Sequence, residues 1–289
     1  MKIVRVESAV WFLDATTDYR AAEPLRTNTL GSVATTVVGE PRRYDGYWWW
    51  LVTSGAGDVV GAAFRTAPFG LHIGPMPVDA ADPLALAVAR EDDEFPWVFG
   101  DADVVSRFLI EYERTSSPGS SRQSAPGITS TLYELGDLVL PRVEGDYRVA
   151  TMDDLDLVAR WLREFQLFIG DTAHAPSASD REMLKGRLQK GMMRLWCIAG
   201  KPVAMAGFAT PVETKGALVT RIGPVFTPDD LRGRGYGAAV TAHLSDELVR
   251  EGSRVMLHAD ANYEVSNRAY QKIGFRPLRQ LVQYDLAES

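Results

Sequence analysis

The sequence predicts an α/β chain of the α+β type, with two domains in tandem, each a mixed, mostly antiparallel twisted sheet flanked by helices. Three observations point there. Two apolar runs, residues 194–199 and 203–210, flank a Gly200-Lys201-Pro202 turn, and residues 217–226 return as a third run, the start of an antiparallel sheet. A glycine-rich segment, Arg232-Gly233-Arg234-Gly235-Tyr236-Gly237, then leads from that third run into a helix-like stretch, residues 238–250. Finally, the first half faintly repeats the second. Val60-Gly61-Ala62-Ala63-Phe64-Arg65-Thr66-Ala67-Pro68 resembles Ala204-Met205-Ala206-Gly207-Phe208-Ala209-Thr210-Pro211, and Ile73-Gly74-Pro75 echoes Ile222-Gly223-Pro224.

Taken in chain order, the N-terminus puts charges at Lys2, Arg5 and Glu7, where a secretory segment needs an apolar stretch. After Pro75 the first copy runs Met76-Pro77-Val78-Asp79 and has neither the arginine nor the glycines of the second copy, so its expected part is structural. The polar stretch at residues 115–127 reads as a long loop, because one more strand, residues 130–135, follows it. The domain boundary is expected at Pro141-Arg142-Val143-Glu144-Gly145, giving domains 1–143 and 144–289. Beyond it, Tyr147-Arg148-Val149-Ala150 is a short strand, and Met152-Asp153-Asp154 opens an amphipathic helix with Leu155, Val158, Ala159 and Leu162 on its buried stripe. The chain closes with a strand ending at Asp260 and a short helix, Ser266-Asn267-Arg268-Ala269-Tyr270-Gln271-Lys272-Ile273-Gly274-Phe275, ended by a glycine turn.

The glycine segment is an anion cradle. Glycines let backbone amides approach a phosphate closely, a helix start offers unpaired N–H groups at a positive dipole end, and Arg232 and Arg234 add charge. Gly233-x-Gly235-x-x-Ala238 also fits a dinucleotide fingerprint, with Asp260 ending the next strand. Against that reading, six residues separate the preceding strand from the first glycine, and too little chain follows Asp260 for a doubly wound sheet.

The glycine segment together with the later tyrosine helix resembles the GNAT superfamily of acyl-CoA-dependent N-acyltransferases, and within it the subgroup around glycine N-acyltransferases and their bacterial relatives. Gly223-Pro224-Val225-Phe226-Thr227-Pro228 and Ser266-Asn267 through Phe275 carry the closer likeness, which covers roughly residues 146–289. The resemblance implies an acetyl-CoA-dependent N-acetyltransferase with a degenerate first copy that holds no CoA. It implies that Val225, Phe226 and Thr227 line the pantetheine, and that Arg232, Gly233, Arg234, Gly235, Tyr236, Gly237 and Ala238 hold the pyrophosphate. Tyr270 corresponds to the family tyrosine near the sulfur, a general acid for the departing thiolate. Asn262 and Asn267 are implied cofactor contacts, although Asn267 could equally cap its helix and Asn262 is displaced by one from the subgroup position. Transfer is expected in a ternary complex without metal; a non-catalytic acyl-CoA-binding sensor is the alternative.

A general base is not legible, because residues 217–226 contain no glutamate; Glu164, His174, Glu213 and His258 are reachable only in principle. The acceptor, expected to be the primary amine of a small molecule or amino acid rather than of a protein, would meet variable loops such as residues 165–179. With a net charge of −7 the chain offers no footprint for nucleic acid, and no run of about 18 apolar residues suggests a membrane span. A single cysteine, Cys197, in an apolar strand suits a reducing cytoplasm. Nothing in these patterns fixes an oligomeric state.

Overall fold

The computed structural model describes residues 1–91, 94–115, 123–169 and 178–287. The first half runs β1 (Lys2–Val6), α1 (Ala9–Ala15), α2 (Thr17–Ala22), α3 (Asn28–Gly39), β2 (Tyr47–Thr53), β3 (Val59–Thr66), β4 (Leu71–Ile73), α4 (Ala81–Ala89), β5 (Trp97–Gly100), α5 (Ala102–Thr115) and β6 (Gln123–Leu135). The second runs β7 (Asp146–Val149), α6 (Leu155–Phe168), α7 (Ala178–Gln189), β8 (Met193–Ile198), β9 (Lys201–Phe208), β10 (Val212–Thr214), β11 (Ala217–Phe226), α8 (Tyr236–Arg250), β12 (Ser253–Asp260), α9 (Glu264–Lys272) and β13 (Phe275–Ala287). The described strands join one sheet in the order β1-β2-β3-β4-β5-β13-β6-β12-β11-β9-β8-β7, with β10 paired to β11 off that path. Among the described strands only β4 with β5 and β11 with β12 run parallel, so the expected mixed, mostly antiparallel sheet is borne out. Among the described residues no helix is long and apolar enough to cross a membrane.

Alternation along the strands loads both faces. In β2, Trp49 and Leu51 pack with Phe12, Leu30 and Ala34 of α1 and α3, whereas Trp50 packs with Leu84 and Phe108 of α4 and α5. In the second half, Ala239, Val240, Leu244 and Leu248 of α8 cover Ile222 and Leu257, while Val158, Trp161, Leu184 and Leu188 of α6 and α7 cover Leu195, Met205 and Phe226. Each such large apolar side chain contributes about 1.5–3 kcal/mol on burial. Trp161 joins Leu155 and Val158 as the fully buried residues of the α6 stripe, with Ala159 and Leu162 half-buried beside them.

The approach to α6 is fixed by a capping box on Thr151 and Asp154, and Arg148 grips both carboxylate oxygens of Asp154 at 2.7 and 2.8 Å. Between β8 and β9, Ala199 and Gly200 both adopt positive φ, 47° and 77°, making a two-residue hairpin turn. The second strand therefore resumes at Lys201, two residues earlier than the sequence pattern suggested.

β6 is much longer than the run 130–135 read from sequence, and it does not lie beside β5. That place belongs to β13, with Val282 opposite Gly100 and Gln283 opposite Phe99. β6 instead pairs with β12, Leu257 opposite Tyr133, and with β13 from Phe275↔Leu135 to Ala287↔Gln123. Each half supplies the strand that closes the other. A chain begun at residue 144 would lack β6 and leave β12 with an open edge, a template for aggregation. The whole chain is expected to unfold in one calorimetric transition, and two separable transitions would contradict this interlocking.

Candidate active site

β11 and β12 pair from Leu218↔Ser253 to Ile222↔Leu257, and there the pairing stops although both strands continue. Past that point β12 stays with β6, while Val225 and Phe226 pair with Ala206 and Met205 of β9. A register irregularity between Ile222 and Val225, with Gly223 at φ 154°, turns β11 away. The result is a wedge between two backbone edges whose polar groups have lost their ladder partners, a shape suited to an extended guest that supplies amides of its own.

At the mouth of the wedge the chain turns into α8. Gly233 and Gly235 sit at φ 79° and 82°, conformations that side chains with a Cβ resist. The first bond at the helix start runs from the Ala239 N–H to the Gly235 carbonyl, at 2.9 Å, and the amides of residues 233–238 have no acceptor among the described residues. A side chain on Gly237 would come within 3.1 Å of Thr227 Oγ1, so this glycine keeps the strand end against the helix start. Tyr236 and Ala238 anchor that start by packing onto the core. Farther along α8, Glu247 accepts from Arg194 Nε at 2.9 Å and from the Tyr147 hydroxyl at 2.5 Å, tying the helix to β7 and β8.

Arg232 folds over the loop. Its Nε donates to the Thr227 carbonyl at 3.0 Å, it pairs with exposed Asp229 at 2.7 Å, and its guanidinium lies 4.5 Å from the Phe168 ring centre. Arg234 is exposed and donates only weakly, at 3.3 Å, to the Asp230 carbonyl. Six uncommitted amides at a helix start and one stacked arginine make a surface suited to an anion.

Tyr270, on α9, packs half-buried against the cluster that holds Ile222, Leu257 and Val225, where β11 and β12 part. Its ring lies 6.4 Å from Tyr133 and 6.0 Å from Phe275. The hydroxyl has no hydrogen-bond partner among the described residues, and burial, helped by Tyr263, pushes it above the usual phenol range. The group therefore holds its proton at any working pH.

Other sequence candidates fall out differently. Asn267 spends its amide on the carbonyls of Asp260, Ala261 and Tyr263, at 2.9, 3.2 and 3.1 Å, and accepts the Tyr133 hydroxyl at 3.0 Å. It fastens the β12 to α9 connection, and Tyr263 rather than Asn267 occupies the cap of α9. Asn262 is exposed beside it. His258 packs against Phe99, and burial, then Arg221 and His72, hold its pKa down to about 3, too weak a base to take a proton from an amine. Glu164, 3.9 Å from Arg160, lines an open cavity bordered by Trp161, Phe168, Phe226 and Arg232, whereas Glu213 is exposed on β10. His174 lies outside the described residues, as does most of the 165–179 segment.

The first half repeats the geometry without the opening. β4 and β5 part after His72↔Phe99, but the Tyr19 hydroxyl donates to the Pro75 carbonyl at 2.8 Å and sits where a Cβ on Gly74 would meet it at 2.6 Å. Sequence reasoning missed Tyr19, as well as Phe168, Arg187 and Arg221. For Arg221 a signal existed, a lone cation in an otherwise apolar strand.

An FR47-like protein family model matches residues 209–283, the span that holds the wedge, the glycine loop and α9. No curated protein sequence matches the chain. Among solved structures, a GCN5-related N-acetyltransferase from Sphaerobacter thermophilus superposes with a TM-score of 0.63 at 16% identity, covering 99% of this chain and 96% of that one. A GNAT-family acetyltransferase from Colwellia psychrerythraea gives 0.58 at 12% identity over 99% and 100% of the two chains. A tandem GNAT protein from the clavulanic acid biosynthesis pathway gives 0.57 at 14% identity over 99% and 98%. At these identities the likeness is one of fold. It extends over both halves, and the resemblance to the GNAT superfamily read from the two motifs holds.

Proposed function

Because the chain carries the GNAT acetyltransferase fold along its whole length, we propose that it is an N-acyltransferase that moves an acetyl group from acetyl-CoA to a small primary amine, bound together in a ternary complex. The observation that carries this is the wedge between β11 and β12 leading onto the uncommitted amides of residues 233–238. Those features fit a ligand with an extended, amide-bearing arm and a pyrophosphate. In this reading Val225, Phe226 and Thr227 offer backbone groups to the arm, and Gly233 through Ala238 take the phosphates with Arg232 and Arg234 beside them. When bound, acetyl-CoA supplies an acyl group already activated as a thioester.

The chain's own contribution is mainly position. Tyr270 holds a proton for the departing sulfur, and the amine gives up its own to water, with Glu164 the candidate base among the described residues that borders the cavity beside Phe226 and Arg232. Residues 1–143 act as a scaffold whose counterpart cleft Tyr19 fills, and residues 144–289 carry the reaction, in the cytoplasm. The test is acetyl-CoA-dependent release of free thiol across a panel of primary amines, with the acetylated amine identified by mass. Amine-dependent release is expected. Binding of acetyl-CoA with no amine accelerating release would turn the reading to a non-catalytic acyl-CoA sensor.

A further inference from the structure

The wedge is a gap between two strands, so it opens onto both faces of the sheet. On one face stand α8 and Tyr270, with Val225 turned toward them, whereas Phe226 turns the other way, toward α6. There the buried Trp161 packs against Phe226, 6.4 Å between ring centres. Phe168 lies seven residues farther along the same helical stripe, yet it is 47% exposed. Its ring meets two residues that lie beyond the strands, Arg232 after β11 and Tyr263 after β12.

These contacts form a row across the mouth of the wedge. The Arg232 guanidinium stands 5.8 Å from the ring centre of Phe226 and 4.5 Å from that of Phe168. Phe168 then meets Tyr263 nearly edge-on, 5.3 Å between centres at 72°. Arg232 is fixed by its bond to the Thr227 carbonyl, and Tyr263 opens α9, the helix that carries Tyr270. Phe168 therefore ties the β11 side of the wedge to the β12 side beyond the point where their backbone pairing ends. On its outer side lies an open cavity of about 830 Å³, which Trp161, Phe168, Phe226 and Arg232 help to line.

Given the reading of the wedge as the seat of an acyl-CoA arm, on which this assignment rests, we propose that Phe168 is a donor-binding residue, closing the α6 side of the wedge mouth over the arm. The amides of such an arm pair with the free edges of β11 and β12, but its methyl and methylene groups need an apolar cover that strand edges do not offer. Phe168 supplies that cover from one face, while Tyr270 and the α8 cluster lie on the other. Being half exposed, the ring can turn aside to admit the arm and return over it. The nucleotide end of the donor, held on the glycine loop, gains little from it.

The test uses the full chain and two ligands in titration calorimetry: acetyl-CoA, and its nucleotide end without the arm, adenosine 3′-phosphate 5′-diphosphate. Phe168→Ala should raise Kd for acetyl-CoA about tenfold, the scale of a lost aromatic contact, and change Kd for the nucleotide by no more than about twofold. Phe168→Tyr keeps the ring and should bind both ligands as wild type does. Should the alanine variant fail to fold, Phe168→Leu, which stays apolar but loses the ring, should still weaken acetyl-CoA selectively. Equal acetyl-CoA affinity in wild type and the folded variant would overturn the proposal. So would a loss shared equally by the two ligands, since Phe168 would then act only by placing Arg232. If acetyl-CoA does not bind wild type, the acyl-CoA reading falls and this assignment with it; if it binds indifferently to Phe168, the assignment alone falls.

Discussion

Tyr270→Phe is expected to lower kcat by about 10²–10⁴-fold while leaving KM for acetyl-CoA nearly constant, the range typical of a lost positioned proton donor. The substitution removes one oxygen. The ring contacts with Tyr133 and Phe275 remain available to phenylalanine, and no described group is left without a partner, because the hydroxyl makes no hydrogen bond to one. Stability should therefore change by no more than about 0.5 kcal/mol, within the range of substitutions that break no packing or polar network. Steady-state kinetics on any amine that supports thiol release, alongside a melting curve, separates the roles. A Phe variant with wild-type turnover would make Tyr270 a packing residue and return the proton to solvent.

The parts of the site legible in sequence are those whose chemistry is local. Gly233 and Gly235 stand where the chain needs positive φ at a helix entry, and a glycine turn at Gly274, φ 109°, ends the tyrosine helix as expected. The sheet class was legible for the same reason, since alternating runs and a turn signal the β8 to β9 hairpin within a few residues. Asn267 shows the limit of a motif. Its type and position are right for a ligand contact or a cap, and only the geometry reveals a side chain spent on three carbonyls of the preceding turn.

The exchange of β6 and β13 had no local signal. Of β6, residues 123–127 read as loop and only 130–135 as strand, and the partners of both stretches lie more than a hundred residues away along the chain. The seam between the halves is illegible for a related reason. Arg221 stands out in an apolar strand, but the neighbours that define its surroundings come from the loop after α3, from α7, and from β4 and β12, and only folding gathers them.

The most direct measurement of the central account, a single acyl-CoA site built on the glycine loop of the second half, is calorimetric titration of acetyl-CoA into the wild type and Gly235→Val. Gly235 holds φ 82°, and a Cβ there would meet Val143 Cγ2 at 3.1 Å. Valine at a left-handed position costs about 1–2 kcal/mol and drags the neighbouring amides from their line. Wild type at a hundredfold excess of ligand over Kd should gain about 2.7 kcal/mol, a rise of about 4–5 °C in melting temperature. One acetyl-CoA per wild-type chain and no binding to a folded Gly235→Val chain are expected. Two equivalent sites per chain, or unchanged binding by the folded variant, would contradict this.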